Sequence, residues 1–355
     1  MSLLSFLHRY TRAVRVVPLF LMGFSLSLSQ GCTQGCTAPS RATVLHGNAL
    51  GTFYTVNISQ LPDEVTSEEI QDVVDSTLDR INRLMSTYLD DSELSRFNTH
   101  EAHTPFQLSP ETYTVFEIAQ RVSAQSDGAF DVTVGPLVNV WGFGPEAFTK
   151  VPDDAAIQKL KEAVGYEKLS LLPDHKISKS QATLYCDLSG IAKGYAVDAI
   201  AEALTALGLK HFMIEVGGEI RVSGENSQGQ DWNLGIETPN PEGRELFIVV
   251  HLSDASLATS GDYRNMFEVE GQLVSHTIDP HTGYPVQHPV ASVSVIHPSC
   301  TWADAYATAL MVMGEEKALA FAKEQGLAVM LIIHDGEHKQ FKERSTPQFD
   351  AYRSK

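Results

Sequence analysis

Asp304 and Thr308 lie four residues apart in the run Trp302-Ala303-Asp304-Ala305-Tyr306-Ala307-Thr308, so a helix through them carries a carboxylate and a hydroxyl on one face. That is hard-oxygen ligation of the kind Mg²⁺ takes beside substrate phosphates and water. The same pair also fits a blander role, with Asp304 capping or pairing locally and Thr308 packing. A second segment, Asp187-Leu188-Ser189-Gly190-Ile191-Ala192-Lys193-Gly194, reads as a strand-to-helix junction. Free amides and the positive end of a helix dipole at such a junction suit phosphate oxygens. Its spacing is not GxxxxGK[ST], so it is no Walker motif, and Lys193 there either neutralises an anion or lies on the surface. A third segment, Ser275-His276-Thr277-Ile278-Asp279-Pro280 running into Thr282-Gly283-Tyr284-Pro285, is rich in turns. It holds a histidine, the side chain best suited to proton transfer near neutral pH. With 13 histidines in the chain, His276 stands out only through its company. Ala129-Phe130-Asp131-Val132-Thr133-Val134-Gly135-Pro136-Leu137 and Trp141-Gly142-Phe143-Gly144-Pro145 put two glycine-aromatic turns after a helix end. Such turns bring amides and rings close to a ligand, or else Phe130 and Trp141 simply pack the loop.

These segments need elements to hold them. A helix over 66–85 is marked by a capping box, Thr66 with Glu69, and by Ile70, Val73, Val74, Leu78, Ile81, Leu84 and Met85 at helical spacing. A helix over 110–126 has Ser109 as N-cap, Pro110 at its first position and Asp127-Gly128 to close it; a shorter one follows Pro152. After Ile191 a helix runs to about Leu207 and stops at Gly208, and a strand over 211–216 leads into Gly217-Gly218. Further strands fall at 232–237, 246–252, 292–296 and 328–333, with helices at 302–313 and 316–324 on either side of Gly314. The mixed order predicts an α+β fold rather than a doubly wound parallel sheet, and no internal repeat is visible.

The chain has 355 residues and 43% hydrophobic content, enough for a sizeable core. A formal net charge of −18 speaks against nucleic acid as a partner, because phosphate binding wants a basic face, and it favours solubility. Arg9, Arg12 and Arg15 precede an apolar run over 16–28, too short for a comfortable membrane span but suited to a signal-peptide core. The run ends in Ser29-Gln30-Gly31-Cys32, which looks like a bacterial lipobox with its leucine one position further out than usual, so Cys32 is the expected lipid anchor. Cys36, after Gly35, is a second candidate, and a plain cleaved signal peptide is the alternative. Residues 33–48 are rich in Thr, Gly, Ser and Ala, as a tether is. The expected organisation is therefore a signal peptide over 1–31, a tether over 32–48 and a folded body over 49–355. Cys186 and Cys300 are too few for a disulfide framework and are expected as buried free thiols, a pairing between them being the alternative. No CxxC, HExxH or His-rich cluster offers a zinc site.

Eight segments in order resemble the ApbE family of FAD:protein FMN transferases: Leu50-Gly51-Thr52, Met85-Ser86-Thr87-Tyr88 through Ser92-Glu93-Leu94-Ser95-Arg96-Phe97-Asn98, Phe130-Asp131 to Pro136-Leu137, Asp187 to Gly194, Gly217-Gly218-Glu219, Thr259-Ser260-Gly261-Asp262-Tyr263-Arg264, His276 to Pro280, and Asp304 to Thr308. The resemblance covers nearly everything after residue 48. It implies a single α+β catalytic unit related to T-fold-like proteins, with FAD in a cleft between subregions. Leu50, Tyr88, Ala129, Phe130, Asp131, Asp187, Lys193 and Ile278 then match FAD-contacting positions, Tyr88 lying against the flavin or gating the cleft. Asp304 and Thr308 match metal-binding side chains, and Gly190 a position that approaches the metal through its carbonyl. The family often has Met at the place of Leu50 and in some members Glu at that of Lys193, so neither side chain is indispensable to the chemistry.

What the resemblance implies for activity is Mg²⁺-dependent transfer of FMN from FAD to a threonine or serine hydroxyl of an acceptor protein, with AMP leaving. His276 is expected as the base or as the group that orients the nucleophile. The expected acceptors are flavin subunits of sodium-pumping quinone reductases and related membrane redox complexes. The expected setting is a bacterial lipoprotein on the periplasmic side of the inner membrane. Hydrolysis of FAD to FMN and AMP is the alternative on the same site, and FAD storage without chemistry is a third reading.

Overall fold

In the computed structural model the described residues are 41–145, 150–240, 243, 245–261, 267–269, 272–336 and 340–353. They begin with a hairpin. Strand β1 (Arg41–Ala49) turns through Leu50 and Gly51, both at positive φ, into β2 (Thr52–Leu61), and the two pair antiparallel from Arg41↔Leu61 to Ala49↔Thr52. Residues 41–48, expected as tether, are therefore strand. The reason is that β1 is the sheet's outermost strand, with one face exposed, so it lacks the apolar alternation of an inner strand. The expected signal peptide over 1–31, Cys32, Cys36 and the rest of the tether lie outside the described residues.

Helix α1 (Ser67–Met85) starts at the capping box as expected: Glu69 donates its N–H to Thr66 Oγ1 at 3.2 Å, and Thr66 donates its own N–H to Glu69 Oε2 at 2.8 Å. Its buried face is Ile70, Val74, Leu78, Ile81 and Met85. A short helix α2 (Glu93–Thr99), strand β3 (Phe106–Gln107) and helix α3 (Pro110–Gln125) follow, α3 capped by Ser109. Helices α4 (Gly135–Val140) and α5 (Asp154–Lys161) lead to β4 (Leu169–Leu172) and β5 (Lys176–Lys179), which form a small sheet with β3. No strand runs into Asp187; the chain between β5 and α6 (Ala192–Ala206) is irregular.

The second half contributes β6 (Phe212–Val216), β7 (Glu219–Ser223), β8 (Trp232–Glu237), β9 (Leu246–Leu252), β10 (Ala255–Gly261), β11 (Phe267–Val269), β12 (Gln272–Val274), β13 (Val290–His297), α7 (Cys300–Glu324), β14 (Ala328–His334), β15 (Phe341–Ser345) and α8 (Pro347–Asp350). The two helices expected on either side of Gly314 are the two halves of α7, which breaks at Gly314, where φ 72° and ψ 176° are not helical.

The main sheet has eight strands in the order β1-β2-β6-β7-β10-β13-β14-β15, and every pairing is antiparallel. Both faces are covered, which explains the uninterrupted apolar run of β14. Val329, Leu331 and Ile333 join the core under the helices, while Met330 and Ile332 join a second core with Trp232, Leu234, Val250 and Phe349 from β8, β9 and α8. Helices α6 and α7 pack against each other and over the first face. The result is the α+β class that the element order predicts.

Candidate active site

The twelve residues singled out in the folded body line one cleft of about 890 Å³. Leu50 enters from the β1–β2 turn, Tyr88 from the loop after α1, and Ala129, Phe130 and Asp131 from the segment after α3. Asp187 and Gly190 come from the stretch before α6 and Lys193 from its first turn. His276 and Ile278 lie between β12 and β13, and Asp304 and Thr308 on α7.

Asp304 is buried, and its Oδ2 accepts the backbone N–H of Gly194 at 2.9 Å. A Cβ at position 194 would stand 2.4 Å from the Cys300 carbonyl oxygen and 2.7 Å from Asp304 Cβ, so the start of α6 can press onto α7 only as glycine. The expected phosphate cradle is therefore different in kind: no strand precedes it, and this helix-start amide is already committed to a carboxylate. Lys193 Nζ sits 3.2 Å from Glu219 Oε1 and 3.8 Å from Asp304 Oδ1. Burial works against the Lys193 charge, but the two carboxylates outweigh it and raise its pKa. Burial likewise pushes the Asp304 and Glu219 carboxyls up, with Lys193 opposing in each case.

One helical turn after Asp304, Thr308 Oγ1 lies 3.4 Å from the Gly190 carbonyl oxygen and 3.3 Å from Ser260 Oγ. Octahedral Mg²⁺ takes oxygens at about 2.0–2.1 Å, which puts adjacent ligands about 2.9 Å apart. The Thr308 hydroxyl and the Gly190 carbonyl stand close to that spacing, and Asp304, one helical turn earlier on α7, lines the same cleft, so the three donor types suit that ion. Among the described residues no group of three or more His, Cys, Asp or Glu side chains could hold a metal.

His276 packs edge-on to Phe143, ring centroids 6.2 Å apart, and its buried Nδ1 has no hydrogen-bond partner among the described residues. Burial, and then the charge of Lys193, push its pKa down to about 4. At neutral pH it is an uncharged acceptor. Asp131 spends both carboxylate oxygens on the chain: Oδ1 accepts Thr133 N–H at 2.8 Å and Thr133 Oγ1 at 2.6 Å, and Oδ2 accepts Tyr166 N–H at 2.8 Å. It shapes the loop rather than offering a free charge. Asp187 Oδ1 accepts Ser189 N–H at 2.8 Å, and the Asn98 side-chain amide clamps Cys186 by donating to its carbonyl at 2.8 Å and accepting its N–H at 2.7 Å. Tyr88 is 68% exposed at the rim, where partial burial and nearby Asp187 raise its pKa. Ile278 pairs with Pro285 across a turn held by Trp141, whose Nε1–H donates to Gly283 O at 2.9 Å.

Glu219 and Ser260 line this cleft and Asn98 supports it through the Cys186 backbone, by contacts between distant segments that composition and spacing do not single out. Their signal is membership of the resembling segments Gly217-Gly218-Glu219, Thr259-Ser260-Gly261 and Ser92 to Asn98. Asp262, Tyr263 and Arg264 lie outside the described residues. Cys186 and Cys300 are both free and buried, as expected.

Fold and site together define an α+β enzyme whose cleft combines aromatic and apolar walls with a corner of hard oxygens, suited to a large ligand carrying phosphates. Residues 50–331 match the ApbE family. The chain is 43% identical over 322 residues to the FAD:protein FMN transferase of Vibrio cholerae, covering 90% of this chain and 96% of that protein. To the FAD:protein FMN transferase of Escherichia coli K12 it is 37% identical over 330 residues, covering 91% and 93%. Among solved structures, the flavin transferase ApbE from Vibrio cholerae superposes with a TM-score of 0.81 at 42% identity, covering 88% of this chain and all of that one. Pseudomonas stutzeri flavinyl transferase ApbE, apo form, gives 0.81 at 35% identity, covering 89% and 98%. The chain belongs to the ApbE family, and as an enzyme it is a flavin transferase.

Proposed function

We propose that this protein uses Mg²⁺ to transfer FMN from FAD onto a threonine or serine hydroxyl of an acceptor protein, releasing AMP. The observation that carries this reading is that the Asp304 carboxylate and, one helical turn on, the Thr308 hydroxyl 3.4 Å from the Gly190 carbonyl line one cleft. In this reading the acceptor oxygen attacks the FMN-side phosphorus, the anhydride bond to the AMP phosphate breaks, and AMP departs with the bonding electron pair. Mg²⁺ bound at the corner would offset the charge of the diphosphate and of the leaving AMP. Such a cation matters because the cleft wall carries Asp131, Asp187, Glu215, Glu219, Glu237 and Asp304 against a single lysine among the described residues.

Neutral His276 takes the proton of the attacking hydroxyl, and the negative charge of a bound diphosphate raises its pKa toward the working range. Leu50, Phe130 and Ile278 offer apolar surface to the flavin, and Tyr88 closes over it from the rim. In the same reading the protein is a periplasm-facing lipoprotein of the inner membrane, attached through Cys32. Its acceptors are flavin subunits of sodium-pumping quinone reductases and related complexes. Among the described residues no helix is long and apolar enough to cross a membrane.

The test mixes the full-length protein with FAD, Mg²⁺ and an acceptor domain bearing a candidate threonine, and weighs the acceptor by intact-mass spectrometry. The expected result is a gain of one FMN phosphoryl unit that disappears with EDTA. AMP and free FMN with an unmodified acceptor would make the protein an FAD pyrophosphatase, and tight FAD binding with no AMP at all would make it a carrier.

A further inference from the structure

We propose that Glu219 is a positioning residue for the metal corner: it draws the Lys193 ammonium off Asp304 and so keeps the Asp304 carboxylate open to a divalent cation. This rests on the reading of Asp304, Thr308 and Gly190 as that corner. Lys193 is fixed at its root, one residue before the Gly194 amide that binds Asp304. Its ammonium lies between two buried carboxylates, nearer to Glu219 at 3.2 Å than to Asp304 at 3.8 Å. The β6–β7 turn builds this arrangement. Gly217 and Gly218, at φ 63° and 107°, make a two-residue hairpin with Val216 opposite Glu219. A Cβ on Gly217 would come within 2.9 Å of Thr52 Cγ2 and 3.2 Å of Lys193 Cδ, so the glycine lets the turn lie close against the lysine stem.

Glu219 is 3% exposed, and its Oε2 has no hydrogen-bond partner among the described residues, so the contact with Lys193 is its principal engagement. An ammonium and a divalent cation cannot both sit against Asp304 Oδ1, because like charges a few ångströms apart in a desolvated corner repel strongly. Remove the Glu219 charge, and Asp304 becomes the one carboxylate shown within reach of Lys193. The lysine then competes with the metal.

The experiment titrates Mn²⁺ into the full-length protein without FAD and follows the free-ion signal by EPR, with thermal melts to confirm folding. Wild type binds, and Asp304→Ala abolishes that binding. Glu219→Gln weakens Mn²⁺ affinity by about tenfold or more, the usual effect of losing a partner that orients a metal ligand. Glu219→Asp, with the carboxylate drawn back by one methylene, falls between. The deciding variant is Glu219→Gln with Lys193→Gln, in which affinity returns to near wild type because the competitor is gone. Unchanged affinity in folded Glu219→Gln overturns the proposal. A double variant as weak as Glu219→Gln overturns it too, since Glu219 would then be acting as a metal ligand itself. Wild-type binding that survives Asp304→Ala overturns the metal corner as well.

Discussion

Gly194 on α6 donates its backbone N–H to Asp304 Oδ2 on α7 across 2.9 Å, and its Cα–H faces the Cys300 carbonyl with no room for a methyl group. One contact thus sets both the helix spacing and the direction of the carboxylate. Gly194→Ala is expected to cost about 1–3 kcal/mol of stability, as overpacking does. It should also raise the Mg²⁺ concentration needed for half-maximal AMP release. Asp304→Asn keeps the shape and removes the charge, so it should cut AMP release by about a hundredfold or more at saturating FAD, the scale of losing a charge-stabilising group. Thermal unfolding and AMP quantification against Mg²⁺ separate the two effects.

His276 carries a pH dependence whose sign follows from its surroundings. Its pKa is about 4 in the fold against an ordinary 6.5, so between these values the unfolded chain binds a proton that the folded chain refuses. The stabilising contribution is fully present above pH 6.5 and is lost as pH falls towards 4. At pH 4.5 it should have cost the ligand-free protein about 2–3 kcal/mol. Urea midpoints at pH 7 and 4.5 should therefore differ less in His276→Gln than in wild type. His276→Ala should also lower transferase turnover by about 10²–10⁴, the usual worth of a positioned base, with FAD still bound. Near-normal turnover would remove His276 from the mechanism.

Much of this was legible because the relevant physics is local. Thr66 with Glu69, and Ser109 before Pro110, satisfy helix-start amides within four residues, and the structure places α1 and α3 accordingly. Asp304 and Thr308 are readable for the same reason, since helical spacing alone puts them together. β1 is missed because an outermost strand needs no apolar alternation. β10, Ala-Ser-Leu-Ala-Thr-Ser-Gly, is missed because small residues suffice where α7 packs over it. The roles of Gly194, Glu219 and Asp198 depend on segments 23 to 110 residues apart meeting in space, as the 110 from Gly194 to Asp304 and the 23 from Asp198 to Arg221 illustrate. No local rule reports such meetings.

Tyr88 is the residue to test for the split between transfer and hydrolysis. It stands 68% exposed at the cleft rim, free to close over a bound flavin and to keep water from the phosphorus. Tyr88→Ala should leave AMP release running while more of the flavin appears as free FMN and less on the acceptor. Chromatography of free FMN beside intact mass of the acceptor measures that partition. An unchanged partition would assign Tyr88 to flavin binding alone.

Asp198 tests whether the α7 start governs the metal corner from a distance. From within α6 its carboxylate accepts Arg221 Nη1 at 2.5 Å, Ser299 Oγ at 2.6 Å, the Cys300 and Thr301 amides at 3.0 and 2.9 Å, and Thr301 Oγ1 at 2.7 Å. It braces the start of α7 alongside the local N-cap Ser299, whose Oγ accepts the Trp302 N–H at 3.5 Å, and it balances a neighbouring guanidinium. Asp198→Ala strands these donors in a buried setting and should cost about 3–5 kcal/mol. Because α7 also carries Asp304 and Thr308, loss of its anchored first turn should raise the Mg²⁺ requirement even at temperatures where the variant is folded. Asp198→Asn, which keeps one good acceptor, should lie between the two. Melting temperature and Mg²⁺ dependence moving together across the series would tie the brace to the corner; a fall in stability at constant Mg²⁺ dependence would mean that the Gly194 contact alone holds Asp304 in place.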